Sequence, residues 1–443
     1  MTDRPSQARA LPVPSGRIAR FARLGSMAGG IAGNAALGGL RELGRGSRPE
    51  WRNLVITPAN LRRLTEELAH MRGAAMKVGQ LLSMDTGEIL PPELSGIMAR
   101  LRDDAHFMPP RQLKQVLTAE WGPDWLRGFE RFDVRPVAAA SIGQVHRARL
   151  RDGRDLAIKV QYPGVARSID SDVANVGALV RLSGLLPKGF ELRPYLDEAR
   201  RQLHEETDYA REGTCLQDFR ARLADDPRFV VPEFHPDWST PQVLAMTFIE
   251  GHPVESTAEA PPETRNRIAG DLIGLMFREL FEWGIMQSDP NFANYRIEKD
   301  SGKVVLLDFG ATRPLDAGLI GAYRRLLSAG LRGDAPGIRQ AATEIGFLDP
   351  GGEPDHQARI GRMIDMVFEA LNAPGEFDFT DSAMSQRMQA EGMALAEAGY
   401  VPPLLPMDVL YLQRKFGGIL LLGSRLGARL PLREMLEPYV DGA

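Results

Sequence analysis

Cysteine is almost absent from this sequence of 443 residues, in which Cys215 stands alone. One cysteine excludes a disulfide within the chain, so the fold must rest on its hydrophobic core, and a reducing compartment is expected. Basic charge is not in excess either, because 54 Lys and Arg residues stand against 58 Asp and Glu residues. Nucleic-acid-binding proteins usually carry such an excess, and no nucleic-acid partner is therefore predicted.

Long hydrophobic runs are also missing from the body of the sequence, where none approaches the roughly 18 apolar residues of a membrane span. Residues 1–52 differ, because they are rich in arginine and contain an uncharged stretch at 24–40. Gly25, Gly29 and Gly33 repeat there every four residues, a spacing that lets two helices approach closely in a bilayer. This stretch is consistent with a weak membrane anchor, which would also permit a homodimer. It is consistent as well with a flexible Gly/Ala-rich leader. An organellar transit peptide fits as well.

Apolar periodicity and turn formers predict an α+β protein with two lobes and an N-terminal helical extension. The predicted regions are a basic leader with a possible membrane-associated helix (1–52), a helical extension (53–130), a small sheet with one helix (131–255) and a mostly helical part (256–443). Thr57-Pro58 predicts the start of a helix that runs to about Met84. Asp152-Gly153 predicts a hairpin turn, and helical spacing predicts one helix over residues 195–219.

Two polar loops in the second half of the sequence predict a metal–phosphate site. Asp308-Phe309-Gly310 follows a short apolar strand, where a carboxylate could hold a metal ion against phosphates. Asp289 and Asn294 are five residues apart and precede Asp308 at the spacing of the kinase catalytic loop. Each loop alone could be an ordinary turn. Together they predict Asp289 as base or water-orienting residue and Asn294 and Asp308 as Mg²⁺ ligands.

Lys159 lies in an apolar segment, residues 156–162, that matches the strand carrying the phosphate-binding lysine of kinases. If buried, this lysine needs an anionic partner; a solvated lysine on an edge strand is the alternative. Glu205, Asp208 and Glu212 are predicted to share one helical face, and one of them is the expected partner. For any single acid, a solvated face is the alternative.

The segment before Lys159 partly matches the glycine-rich nucleotide loop of kinases. Gly143 and Val145 fit the third glycine and the valine, but Ala138 and Ala140 stand in place of the first two glycines. Alanine adds a Cβ atom and restricts φ, so a stiffer loop is predicted. The residues predicted to bind the nucleotide are Ala138, Ala139, Ala140, Ser141, Gly143, Val145 and Lys159, with the adenine on backbone atoms from Thr247 to Gly251.

These motifs together resemble the UbiB family, the aarF-domain-containing atypical kinases linked to coenzyme Q biosynthesis. Residues 77–80, Lys-Val-Gly-Gln, are similar to the K-x-G-Q motif of that family. Residues 138–141 are similar to its alanine-rich loop, and residues 206–208, Glu-Thr-Asp, to its E-x-D motif. The resemblance covers about residues 53–440 and implies a two-lobed protein kinase-like fold.

For the individual residues, the resemblance implies that Glu212 pairs with Lys159. It also implies that the helix with Lys77 and Gln80 packs across the mouth of the active site. Lys77 would then lie near Glu206 or Asp208, so that the four motif residues form a regulatory motif. Ordinary surface positions on an amphipathic helix are the alternative for Lys77 and Gln80.

The resemblance further implies ATP or ADP with Mg²⁺ as cofactors. Three functions stay open: an ATPase or small-molecule or lipid kinase supporting ubiquinone biosynthesis at a membrane, a protein kinase with unusual substrates, and a non-catalytic nucleotide-binding scaffold. Gln287-Ser288 replaces the His-Arg of protein kinases, and no A-P-E motif follows Gly310, so transfer to protein is disfavoured. Expected partners are quinone precursors or lipids and quinone-biosynthesis enzymes. The expected location is cytoplasmic, peripherally or weakly anchored to the inner membrane, and mitochondrial in a eukaryote.

Overall fold

The computed structural model describes residue 68 and residues 71–86, 107–182, 190–400 and 405–440. The leader with its three spaced glycines and the helix start at Thr57-Pro58 lie outside the described residues. Among the helices of the described ranges, none is both long and apolar enough to cross a bilayer.

The chain divides into two compact units. The first unit contains Met1–Gln217 and Glu233–Phe248, and the second contains Asp218–Pro232 and Ile249–Ala443. This division into two units does not test the bounds of the four regions expected from the sequence, which remain a prediction.

The strands are, in chain order, β1 (Phe129–Phe132), β2 (Ala138–Ala139), β3 (Gly143–Leu150), β4 (Asp155–Gln161), β5 (Phe229–Val230), β6 (Val243–Thr247), β7 (Gly251–Pro253), β8 (Ile285–Gln287), β9 (Tyr295–Glu298), β10 (Val304–Leu306), β11 (Thr312–Pro314), β12 (Phe377–Asp378) and β13 (Arg429–Leu430).

The α-helices are α1 (Arg72–Thr86), α2 (Pro110–Trp121), α3 (Val165–Leu182), α4 (Arg193–Glu206), α5 (Tyr209–Arg222), α6 (Pro262–Phe277), α7 (Ala317–Arg332), α8 (Ala335–Ile345), α9 (Pro354–Leu371), α10 (Ala383–Glu397), α11 (Met407–Leu426) and α12 (Leu432–Val440).

An antiparallel sheet of five strands forms the centre of the first unit. Its order is β1-β3-β4-β6, with β2 paired to β3. The turn between β3 and β4 is the predicted hairpin, in which Gly153 has a φ of 96° and Asp152 accepts the N–H of Arg154 at 3.1 Å. On one face of β4, Ile158 and Val160 join the core with apolar side chains of α2 and with Trp125 and Phe129. Since neighbouring strand residues alternate in direction, Lys159 points to the other face.

The single helix predicted over residues 195–219 is wrong, because the structure has α4 and α5 with a break at Thr207-Asp208. The side chain of Asp208 accepts the backbone N–H of Arg211 at 3.0 Å and so caps α5. Aspartate is favoured at this position because its oxygen satisfies an N–H that has no partner within the helix. The predicted common face of Glu205, Asp208 and Glu212 is lost with the break.

The second unit combines small sheets with helices α6 to α12. One sheet has the order β5-β10-β9-β7, in which β5 and β10 are parallel, and β8 pairs with β11. Helix α6 is followed by a π-helical turn, Arg278–Trp283, and Gly284 ends it with a φ of 61°. The polar loop of Asp289 therefore follows a well-anchored strand, β8.

Candidate active site

A buried ion pair lies on β4 in the first unit. Lys159 Nζ donates to both carboxylate oxygens of Glu212, at 2.7 and 2.9 Å. The two residues are only 7% and 2% exposed, and the ring of Tyr209 lies 5.3 Å from the ammonium group. A buried charge is tolerated only when paired and hydrogen-bonded. Lys159 is therefore not a solvated edge-strand lysine, and the glutamate is held by the first turn of α5.

The K-x-G-Q and E-x-D segments meet in the same unit. Lys77, which is buried on α1, forms an ion pair with Glu206, and Ser141 Oγ donates to the other carboxylate oxygen of Glu206 at 2.9 Å. Asp208 is exposed and caps α5, and Gln80 is half-buried on α1. One carboxylate thus ties helix α1 to the alanine-rich loop.

The alanine-rich loop is paired backbone rather than an open flap. Ala138 and Ala139 pair with Val145 and Gln144, and the N–H of Ala140 donates to Gly143 O at 2.8 Å. A Cβ atom at Gly143 would overlap the carbonyl oxygen of Val160 on β4. Gly143 is thus required by close packing of β3 on β4.

The backbone N–H groups at the end of β6 already have hydrogen-bond partners within the first unit. The N–H of Thr247 donates to Glu233 O at 2.9 Å, and the N–H of Phe248 donates to Asp155 O at 2.8 Å. The Thr247 hydroxyl lies 3.0 Å from Nε2 of His235. Within the segment predicted for adenine, these two N–H groups are already used, and Gly251 begins β7, which pairs with β9.

In the second unit, the two polar loops are joined by backbone. The N–H of Leu307 donates to Asn294 O at 3.1 Å, which places the predicted ligand Asn294 beside the residue before Asp308. Asn294 Nδ2 lies 3.4 Å from Asp289 O, and Asp308 Oδ1 accepts the N–H of Gly310 at 2.9 Å. Asn294 and Asp308 are therefore neighbours, whereas their convergence with Lys159 stays a prediction.

Magnesium fits this pair only with additional ligands. Among the described residues, no cluster of three or more His, Cys, Asp or Glu side chains could hold a metal ion. Mg²⁺ in phosphoryl-transfer enzymes usually takes one or two protein oxygens and completes its shell with substrate phosphates and waters. An amide and a carboxylate on adjacent loops match that donor set.

Helix α11 supports the loop of Asp289, and sequence analysis missed it. Its supporting face is formed by Tyr411, Arg414, Lys415 and Gly418. Arg414 Nη2 lies 2.7 Å from Asp289 Oδ1, and Gly418 packs so closely on Pro290 that a Cβ atom would overlap the proline ring. The spacing Tyr-x-x-Arg-Lys-x-x-Gly, with two cations on one helical face, was the available signal.

Arg313 was also missed. It is buried three residues after Gly310, and its guanidinium carbon lies 3.8 Å from the centroid of the Tyr411 ring. Its Nε donates to Ser288 Oγ at 3.3 Å, and Ser288 Oγ donates to Ala311 O at 2.9 Å. The two motif loops are therefore braced against each other and against α11.

A lysine–glutamate pair on an antiparallel sheet, and a D-x-x-x-x-N loop bonded to a D-F-G turn, are features of protein kinase-like proteins. The comparisons with known proteins agree with that class. Residues 100–342 match the ABC1 atypical kinase-like domain, and the chain belongs to this family.

Curated relatives extend the match over nearly the whole chain. It is 38% identical over 431 residues to the atypical kinase COQ8, mitochondrial, of Saccharomyces cerevisiae, covering 96% of this chain and 85% of that protein. It is 36% identical over 437 residues to the atypical kinase COQ8B, mitochondrial, of Rattus norvegicus, covering 97% and 82%.

Among solved structures, the Rv3197–erythromycin complex from Mycobacterium tuberculosis matches with a TM-score of 0.62 and 26% identity. The match covers 84% of this chain and 93% of that one. These findings confirm the predicted family, the α+β kinase-like fold and the enzyme class, an atypical kinase of the group associated with coenzyme Q biosynthesis.

Proposed function

We propose that the protein is an ATPase or a small-molecule or lipid kinase that uses Mg–ATP and supports coenzyme Q biosynthesis at a membrane. The observation that carries the proposal is the buried pair of Lys159 and Glu212 on β4. An enclosed ammonium group held by a carboxylate is prepared to receive phosphate oxygens, because its charge is already desolvated and oriented.

The roles of the site residues follow from their chemistry. Lys159 contacts the α and β phosphates, and Asn294 and Asp308 hold Mg²⁺, which neutralises the charge that develops on the transferred phosphoryl group. Asp289 orients or deprotonates the nucleophile. Its ion pair with Arg414, at 2.7 Å, holds the carboxylate in a fixed orientation, which suits orienting a water or hydroxyl group.

Nucleotide contacts outside the phosphates come from the alanine-rich loop and the segment after β6. Residues 138–145 cover the phosphates with a paired, stiff loop. The adenine binds backbone groups within the segment from Thr247 to Gly251, in which the N–H groups of Thr247 and Phe248 already have partners. Lys77, Gln80, Glu206 and Asp208 form the proposed regulatory motif, in which Lys77 and Glu206 restrain this loop through Ser141.

A small acceptor or water is favoured over a protein substrate. Only residues 311–316 separate Gly310 from α7, and residues 312–314 form a strand paired with β8. A protein kinase needs an ordered activation segment at this position to bind its peptide. The short connection offers no such surface.

Membrane association and partners complete the proposal. The relatives COQ8 and COQ8B are named mitochondrial proteins. We place this chain at the inner membrane through its arginine-rich leader, with quinone precursors, lipids or quinone-biosynthesis enzymes as partners. Gly25, Gly29 and Gly33 would supply a homodimer contact within that leader.

The test compares ATP hydrolysis by the wild type, Asp308→Asn and Asp316→Asn, with and without lipid vesicles. Loss of a metal ligand is expected to lower turnover at least ~10²-fold. Asp316 lies eight residues further on and caps α7 by accepting the N–H of Leu319 at 2.9 Å, a role that asparagine retains, so this control should keep wild-type turnover. Equal rates for all three proteins would favour the scaffold. Label transferred from ATP to other proteins would favour the protein kinase.

A further inference from the structure

A buried charged cluster underlies the loop of Asp289. Lys415 Nζ lies 3.1 Å from the hydroxyl of Tyr295, 3.5 Å from Gln287 Oε1 and 3.5 Å from Glu279 Oε2. Glu279 Oε2 also accepts the backbone N–H of Gln287 at 3.3 Å. All four residues are at most 5% exposed. The cluster therefore combines an ion pair with hydrogen bonds among buried side chains.

The partners of Lys415 stand at the two ends of one short segment. Gln287 is the second residue before Asp289, and Tyr295 directly follows Asn294. One ammonium group thus contacts both flanks of the segment that carries the proposed nucleophile-orienting carboxylate and one proposed Mg²⁺ ligand.

Neighbouring side chains of the same helix hold the segment between those flanks. Arg414 pairs with Asp289, and Gly418 packs against Pro290. Residues 414, 415 and 418 lie on one face of α11, so the helix supports the segment at both flanks and in the middle.

We propose that Lys415 is a positioning residue, which fixes the distance between Asp289 and Asn294 by holding Gln287 and Tyr295 at the same time. The inference rests on the proposed function. A buried ion pair is weak evidence for stability, because matched neutral residues often replace it without loss. The Lys415 ammonium group, however, contacts both flanks of the loop and so fixes the loop's geometry. Displacing reactive groups by about 1 Å can cost ~10²-fold in rate.

The deciding variant is Lys415→Met combined with Glu279→Gln, which removes both charges together and leaves no unpaired ion in the interior. We expect its thermal unfolding temperature and its affinity for ADP without magnesium to match the wild type. Its kcat should fall about 10- to 100-fold. The Mg²⁺ concentration for half-maximal turnover should rise several-fold, because Asn294 loses its fixed position. A cluster that only stabilises the fold would leave that Mg²⁺ dependence unchanged.

A second pair of variants tests the positioning role of Lys415 if the double variant fails to fold. Tyr295→Phe removes the hydroxyl that Lys415 contacts. Tyr323→Phe makes the same change at a buried tyrosine of α7 whose hydroxyl has no hydrogen-bond partner among the described residues. We expect Tyr295→Phe alone to lower kcat and raise the Mg²⁺ requirement; equal behaviour of the two variants would overturn the proposal.

The same assay separates this inference from the function on which it rests. If Asp308→Asn abolishes turnover while a folded Lys415→Met/Glu279→Gln protein keeps wild-type kcat and Mg²⁺ dependence, the positioning role is wrong and the function stands. If Asp308→Asn turns over like the wild type, the proposed function itself fails.

Discussion

His146 on β3 is fully enclosed, and two neighbours determine where its proton lies. Its Nδ1 lies 2.8 Å from the carbonyl oxygen of Asp133, and its Nε2 lies 2.8 Å from the amide nitrogen of Gln144. Because a carbonyl oxygen only accepts, Nδ1 carries the hydrogen and Nε2 accepts from Gln144. Gln144 Oε1 in turn accepts the N–H of Met108 at 2.9 Å, so the neutral ring completes a chain of hydrogen bonds.

Protonation of His146 should therefore destabilise the fold. Burial lowers the pKa of His146 below its ordinary value of 6.5, against smaller opposing effects of Asp133. Below about pH 6.5, His146 is therefore protonated in the unfolded chain but stays neutral in the folded chain. The free energy of unfolding consequently falls as the pH drops below about 6.5. Denaturant unfolding between about pH 5 and 8 measures this slope.

The matched variant for this prediction is His146→Gln, which cannot titrate. Its unfolding free energy should depend less steeply on pH in that window than the wild type does. Equal slopes would show that other groups carry the dependence; His235, whose pKa is also lowered mainly by burial, is the first to examine.

At the scale of elements, the break between α4 and α5 determines where Glu212 stands. Helix α5 begins at Tyr209, so Glu212 lies in its first turn, and Asp208 caps that turn. Loss of the cap in Asp208→Ala should lower the free energy of unfolding by about 1 kcal/mol. Affinity for ADP should fall with it, because the partner of Lys159 becomes less fixed.

The control for the cap is Asp208→Asn, since asparagine caps helices about as well as aspartate. Denaturant unfolding and ADP binding should separate the two variants, with asparagine close to the wild type. If both variants lose the same stability and affinity, the charge of Asp208 matters rather than its capping bond.

Local signals predicted some elements, and long-range contacts determined the others. The hairpin at Asp152-Gly153 and the apolar strand around Lys159 were predicted correctly because turn chemistry and strand alternation are encoded in neighbouring residues. The break at Asp208 was missed because apolar spacing continues across it and outweighed the cap signal. The face of α11 was missed because Arg414 meets a residue 125 positions earlier, which no local pattern shows.

For the whole molecule, we predict that the leader carries membrane attachment and that nucleotide binding does not depend on it. Residues 1–52 are rich in arginine, whereas the full sequence has a formal net charge of −4. Arginines are attracted to anionic lipid surfaces, and a weakly apolar stretch adds a shallow anchor. Deletion of residues 1–50 should abolish sedimentation with anionic vesicles and leave ADP affinity unchanged.

A salt wash of the full chain distinguishes the two contributions to attachment. Charge attraction is screened within about 3 Å at 1 M salt, so release by the wash would assign attachment to the arginines. Retention would assign it to the apolar stretch. Sedimentation of the deletion variant with vesicles would place the anchor elsewhere in the chain.

The dependence of the Asp289 loop on α11 also orders events during synthesis. A ribosome that adds about 5–20 residues per second needs roughly 6–25 s to travel from Asp289 to Arg414. During that interval the residues of the first sheet have been synthesised, whereas the helix that supports this loop has not. An unfinished chain therefore lacks the contacts of Arg414 and Lys415 with this loop, and we expect a chain that ends before residue 411 to have lower ATP turnover than the full chain.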